Sequence, residues 1–189
     1  MLLSILIPTL PERDEFLFDL TINLWEQVKK ANAFDKVEIL TDSRDRSVTT
    51  GEKRNDLLKT ASGKYVWHVD DDDFIYEYAI EEILKAVEID PDVIGICGIM
   101  TVDGKNEIGW EIRLGHPYCA TIRNGKEFYL RHPNHITPMK REIALKIPFP
   151  NKTFGEDYEW AKKLNDAGYL KTQAIIEKPL YHYRCRTKK

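Results

Sequence analysis

Four consecutive aspartates, Asp70-Asp71-Asp72-Asp73, directly follow the apolar run Tyr65-Val66-Trp67-His68-Val69. Adjacent carboxylates repel one another, so a partly buried cluster needs a cation or protonation to be tolerated. All-oxygen ligands favour magnesium or manganese over zinc. Such an ion could bridge diphosphate oxygens and neutralise a leaving group. If strand geometry persists through the run, Asp70 and Asp72 project to one side and Asp71 and Asp73 to the other. A solvated acidic loop capping the next helix is the plainer explanation. The position after a buried strand, where open α/β sheets gather their ligands, favours the metal.

A second carboxylate pair lies far along the chain. Gly155-Glu156-Asp157 precedes Trp160, Ala161 and Leu164, the apolar stripe of an amphipathic helix. A carboxylate there could take a proton from a hydroxyl as general base, an effect of roughly 10²–10⁴ in rate. It is also an ordinary acidic helix start. His182, within Leu180-Tyr181-His182-Tyr183-Arg184, could give the metal a nitrogen ligand, although a lone histidine between tyrosines is more often packed or hydrogen-bonded. Arg184 and Arg186 could face phosphate or lie in a solvated tail. Gly51-Glu52-Lys53-Arg54-Asn55 opens a helix and sets two cations near an anion-friendly end, without the spacing of a Walker A loop. No Gly-x-Gly-x-x-Gly follows the first strand and no Gly-x-Ser-x-Gly occurs, which argues against a nicotinamide-binding domain and a serine hydrolase.

The elements that must hold these residues follow from periodicity. Leu3 to Ile7 is a continuous apolar run, as in a strand buried on both faces. Leu17, Leu20, Leu24 and Val28 recur at helical spacing between Glu12 and about Ala31. Val37 to Thr41 is a short strand, and the polar segment Asp42 to Gly51 is a loop. Glu52 to Ala61 reads as a helix closed by Gly63, and Lys64 to Val69 as a third strand. Tyr76 to Val87 is helical until Pro91. Asp92 to Val102 is strand-like, and Asp103-Gly104 turns it into a second strand, Glu107 to Leu114. A loop rich in His and Pro follows, then a helix from about Glu156 to Ala167. Short strands near Leu170 to Ile176 and Leu180 to Tyr183 finish the chain. Alternating strand and helix in the first half implies an α/β protein with a mostly parallel sheet covered on both faces, and a smaller irregular or antiparallel part after it.

Bulk composition agrees. A chain of 189 residues and 22.1 kDa fits one domain with a sizeable core. The expected division of that one domain is into two functional halves, 1–101 and 102–189. The net charge of −3 argues against general affinity for nucleic acid or anionic membrane. Cys97, Cys119 and Cys185 show no Cys-x-x-Cys pairing and read as reduced thiols of a cytoplasmic protein. The apolar start, stopped by Pro8, is too short for a signal peptide or a membrane span.

The order of the motifs is more specific than any one of them. Ser4-Ile5-Leu6-Ile7-Pro8-Thr9, Asp42 after strand two, Gly51-x-Lys53-Arg54-Asn55, Ala61-x-Gly63-x-Tyr65-Val66 and the aspartate run together resemble family 2 glycosyltransferases of the GT-A fold. Phe154-Gly155-Glu156-Asp157-Tyr158 is similar to that family's Glu-Asp motif on the acceptor side. The resemblance covers roughly residues 3–90 well and 137–184 more loosely. It implies a single Rossmann-like GT-A domain, a nucleotide-sugar donor, in the first place a UDP-sugar, and a Mn2+ or Mg2+ ion. Pro8, Thr9 and Asp42 would line the nucleoside pocket, with Lys53 and Arg54 near base or phosphates. Asp70 and Asp72 would be the ends of the Asp-x-Asp motif, Asp72 the direct metal ligand, and His182 would complete the metal site. Asp71 is assigned to the nucleoside side. Asp157 would be the base of an inverting transfer, positioned by Glu156.

The segment from Val102 to Ile136 matches nothing in the family. Trp110, His116, Tyr118, His132 and His135 are its candidates for contact with a glycan or other hydroxyl-bearing acceptor. Two rival readings remain at this level: a nucleotidyltransferase, and a non-catalytic module binding sugar nucleotides or glycans. A nucleic-acid acceptor finds support only in local basic residues such as Lys140 and Arg141.

Overall fold

The computed structural model describes residues 1–186. Its first strand, β1 (Leu3–Pro8), is buried at every position because it runs parallel between β2 (Val37–Asp42) and β3 (Tyr65–His68). Alternation across β1 sorts the core into two layers. Ile5 and Ile7 pack with Leu20, Leu24 and Val28 of α1 (Asp14–Lys30) and Ile80 and Ile83 of α3 (Ala79–Ala86). Leu6 faces the other way, with Leu57 and Leu58 of α2 (Thr50–Thr60) and Trp160 and Leu164 of α5 (Glu156–Ala167). Helices therefore cover both faces of the sheet, as expected from the alternating pattern.

Among the described residues the sheet has ten strands. The path β2-β1-β3 continues through β9 (Met139–Lys140) to β5 (Val93–Val102), β6 (Lys105–Ile112), β8 (Lys126–Arg131) and β7 (Cys119–Arg123). β4 (Phe74–Ile75) and the long β10 (Gln173–Cys185) complete it, and the four-residue α4 (Arg141–Ala144) follows β9. The β5–β6 hairpin turns at Asp103-Gly104, both with positive φ, as the sequence predicts.

The second half is more ordered than its sequence suggests. Asn124-Gly125, again both at positive φ, closes a β7–β8 hairpin, and β8 pairs in parallel with β6. The two expected short strands at the end are one strand with register shifts around Pro179, which cannot donate to the ladder. Tyr181 on this strand is fully buried and aligned with Gly98 of β5. A Cβ at Gly98 would lie 2.0 Å from the Tyr181 carbonyl oxygen and 2.4 Å from the Trp110 ring. Gly98→Ala should therefore cost about 1–3 kcal/mol by forcing β10 and Trp110 apart. Urea denaturation would show this as a lowered midpoint.

Candidate active site

β3 ends at His68, and the aspartates occupy the turn that follows. The strand alternation expected for them does not hold, and each carboxylate has its own direction. Asp70 accepts a hydrogen bond of 2.7 Å from Arg54 Nη2 and lies 3.3 Å from His135 Nε2. Burial raises its pKa, but Arg54 and His135 outweigh that and hold the carboxyl well below its ordinary range. Asp71 turns back to β1, accepting 2.5 Å from the Thr9 hydroxyl and pairing with Arg13 at 3.0 Å. Asp72 shares the same Arg13 guanidinium. Asp73 points into the protein, where it accepts the Tyr181 hydroxyl at 2.6 Å and the Arg184 backbone N–H at 2.7 Å. Burial, then the charge of Asp70, push the Asp73 carboxyl well above its ordinary range.

Arg54 is only 3% exposed and ties three elements together. From α2 it reaches Asp70 after β3 and, through Nε at 3.3 Å, Glu156 in the first turn of α5. The helix α2 can enter this region because Gly51 lets its first turn approach the Pro150 carbonyl, which an added Cβ would meet at 2.0 Å. Thr49 caps it by accepting the Glu52 N–H at 3.2 Å. Gly155, at φ 71°, turns the chain into α5 so that Glu156 faces inward and Asp157 faces the cleft.

These residues border a cavity of about 650 Å³ that takes in Pro8, Thr9, Lys53, Arg54, Asp70, Asp71, Asp72, Glu156 and Asp157. Arg13, Arg46, Arg184 and Arg186 add positive charge around it. A smaller cavity of about 270 Å³, lined mostly by Trp110, Tyr118, Tyr129, Ile112 and other apolar groups, adjoins it. Asp70, Asp157 and Tyr183 line both cavities. His135 forms part of the second wall, its Nδ1 3.7 Å from Asp157 and its Nε2 facing Asp70, so it spans the two carboxylates.

Not every expected residue lies there. The Asp42 carboxylate is held by Arg44, at 2.9 and 3.0 Å from its Nε, and lines neither cavity. Lys53 lines the large cavity but spends its ammonium on the carbonyls of Thr9, at 2.6 Å, and Arg44. His182 lines neither cavity; its Nε2 sits 2.9 Å from the Thr101 hydroxyl, because alternation along β10 gives the cleft to Tyr183. Lys140 pairs with Asp90 and Asp92, and Arg141 donates to the carbonyls of Leu58 and Lys59. Both basic residues are thus engaged within the protein. Of the acceptor-side candidates, Trp110, Tyr118 and His135 line the second cavity.

Arg13 and Tyr181 escaped the sequence reading. Arg13 had one available signal, its place just after Pro11 at the carboxyl end of β1, where ligands collect. Among the described residues no three His, Cys, Asp or Glu side chains are grouped as a metal cage. The oxygen donors still suit a magnesium or manganese ion that takes one or two carboxylates from protein and the rest from phosphate and water. Asp72 fits best, since among the described residues its one ion-pair partner is the partly exposed Arg13, whereas Asp70 is held on both sides.

The family model for glycosyl transferase family 2 matches residues 20–167. The chain belongs to that family. No curated protein matches the sequence. A crystal structure of S. aureus TarS 1–349 superposes with TM-score 0.66 at 17% identity, covering 97% of this chain and 60% of that one. TarS 1–349 in complex with UDP-GlcNAc gives 0.64 and 14%, over 100% and 60%. The UDP complex gives 0.62 and 14%, over 97% and 60%. The fold is GT-A, and the chain spans about 60% of the length of the TarS 1–349 chains.

Asp71 offers a test of the site's electrostatics. Burial lifts its pKa to about 6 from an ordinary 3.8, against the pull of Thr9 and Arg13. The folded state thus binds the proton more tightly than the unfolded chain, so stability falls as pH rises from about 4 to 6. The difference corresponds to about 3 kcal/mol at most. Asp71→Asn should remove that fall, gaining on the wild type between pH 4.5 and 7. Urea midpoints that keep a constant gap across this range would refute the assignment.

Proposed function

We propose that this chain transfers a sugar from a nucleotide-diphosphate donor, a UDP-sugar in the first place, to an acceptor hydroxyl with inversion. The observation that carries the reading is the shared wall: Asp157 lines both the arginine-ringed cavity and the aromatic one. The donor class rests on the solved TarS complexes with UDP-GlcNAc and UDP.

In this reading the large cavity takes the donor. Pro8, Thr9 and the Thr9–Asp71 hydrogen bond form the nucleoside end, while Arg13, Arg184 and Arg186 face the diphosphate. Asp42 and Lys53 support that end indirectly, through Arg44 and the Thr9 carbonyl. The acceptor enters from the smaller cavity, its hydroxyl directed at Asp157. Asp157 takes the hydroxyl proton as the oxygen bonds to the anomeric carbon and the bond to the diphosphate oxygen breaks. Glu156 acts through Arg54, fixing the start of α5. A bound magnesium or manganese ion beside Asp72 would neutralise the departing diphosphate. By this account residues 1–101 supply most of the donor side, and 102–189 supply the acceptor side together with Asp157. A cytoplasmic setting is part of the proposal and agrees with the free Cys97, Cys119 and Cys185. No helix among the described residues is long and apolar enough to cross a membrane.

Asp157→Asn should keep calorimetric affinity for UDP while transfer falls at least about 100-fold. Transfer at the wild-type rate would rule out the base. Replacing Asp72 with Ala should abolish the gain in UDP affinity that manganese confers, and an unchanged manganese-dependent gain would remove the metal from the account.

A further inference from the structure

Arg13 ends the short turn Pro11–Arg13 that joins β1 to α1, and its guanidinium is shared between two neighbouring carboxylates. Nη1 lies 3.0 Å from Asp71 Oδ1, and Nη2 pairs with Asp72 Oδ2. The Asp71 side chain is 1% exposed, and its second oxygen accepts the Thr9 hydroxyl, so Arg13 is anchored on that side. The Asp72 side chain is 28% exposed and open to the large cavity. Arg184 and Arg186 line the same cavity, with their guanidiniums over the rings of Phe74 and Phe16, 5.3 and 4.3 Å from the centroids. Of the three, Arg13 is the arginine paired with the carboxylate that best suits a divalent ion.

The guanidinium already meets much of the charge of Asp72. A divalent ion arriving by itself would take one carboxylate oxygen while an anchored cation holds the other, and like charges so close repel. A diphosphate reverses the balance, because its oxygens attract the ion and the guanidinium together. On the reading of Asp72 as the carboxylate that takes the ion, we propose that Arg13 makes ion binding conditional on the nucleotide diphosphate. The cleft then discriminates against the free ion and accepts the ion together with its nucleotide. Couplings of this kind span about 5- to 150-fold in affinity.

Two binding measurements on the whole chain test this. Electron paramagnetic resonance of the free manganese signal gives affinity for the ion alone. Calorimetry gives UDP affinity with and without manganese, corrected for the complex the two form in solution. In the wild type, manganese should tighten UDP binding by at least about ten-fold. Arg13→Gln should bind manganese alone about ten-fold more tightly than the wild type, and manganese should then add less than about three-fold to UDP affinity. Arg13→Lys keeps the charge but loses the fork that reaches both carboxylates, so it should fall between the two; it also serves if the Gln variant, checked by circular dichroism, does not fold. Arg186→Gln removes a cation from the same cavity and leaves the Arg13 bridge intact, so its affinity for manganese alone should rise less than about three-fold. Equal affinity of the wild type and both Arg13 variants for manganese alone overturns the proposal and leaves Asp72 as the ion's ligand. So does an equal rise in Arg186→Gln, which marks a general effect of charge. Wild-type UDP affinity indifferent to manganese removes the metal reading, and the role of Arg13 with it.

Discussion

A guanidinium sealed from water must be neutralised where it stands, and Arg54 imposes that condition on three separate parts of the fold. Its partners come from the turn after β3 and from the first turn of α5, the latter 102 residues away in sequence. A buried ion pair is a weak net stabiliser, but losing one member strands a charge at a cost of roughly 3–5 kcal/mol. The triad therefore acts as a geometric constraint more than as a source of stability. Since Asp157 follows Glu156 directly, fixing Glu156 against Arg54 fixes the distance between the cleft's two acidic ends. The burial of His68, which packs edge-on against Phe149 at 5.2 Å, closes the same region from behind.

Around that constraint the four aspartates are not equivalent. One is charged and salt-bridged by Arg54, one is drawn up toward neutrality against Thr9, one faces the cleft beside Arg13, and one is buried beneath Tyr181. Clustered carboxylates are tolerable here because cations and hydroxyls are distributed among them and because two of the four hold protons more tightly than free aspartate. The Tyr181 hydroxyl serves twice, accepting from the Asp70 N–H at 3.2 Å and donating to Asp73. That one group shapes the turn.

Much of the architecture was legible in sequence because it rests on local periodicity. β1, α1, α2, β3, the Asp103-Gly104 hairpin and α5 all emerge from apolar spacing and turn residues within short windows. Asn124-Gly125 carried an equally clear hairpin signal, obscured by the mixed polarity of the half-exposed strands beside it. The site was legible only in part. Pro8, Thr9, Asp70, Asp71, Asp72 and Asp157 line the cleft, but which carboxylate faces which cation depends on where β3 ends. His182 shows the same limit: one step along a strand exchanges cleft for sheet interior, and Tyr183 took the cleft. Arg13, Tyr181 and His135 gain their roles only through tertiary contacts that no local pattern encodes.

The Tyr181 and Arg184 contacts to Asp73 also bear on how the protein comes into being. The acidic turn leaves the ribosome long before β10, so during synthesis Asp73 has neither the hydroxyl nor the backbone donor that will enclose it. Until that strand inserts beside β5, the Asp73 carboxylate stays hydrated and exposed to solvent. A nascent chain halted before residue 181 would thus lack Tyr183 and Arg184 in the cleft wall and both donors that enclose Asp73, so completion of the site waits on insertion of β10.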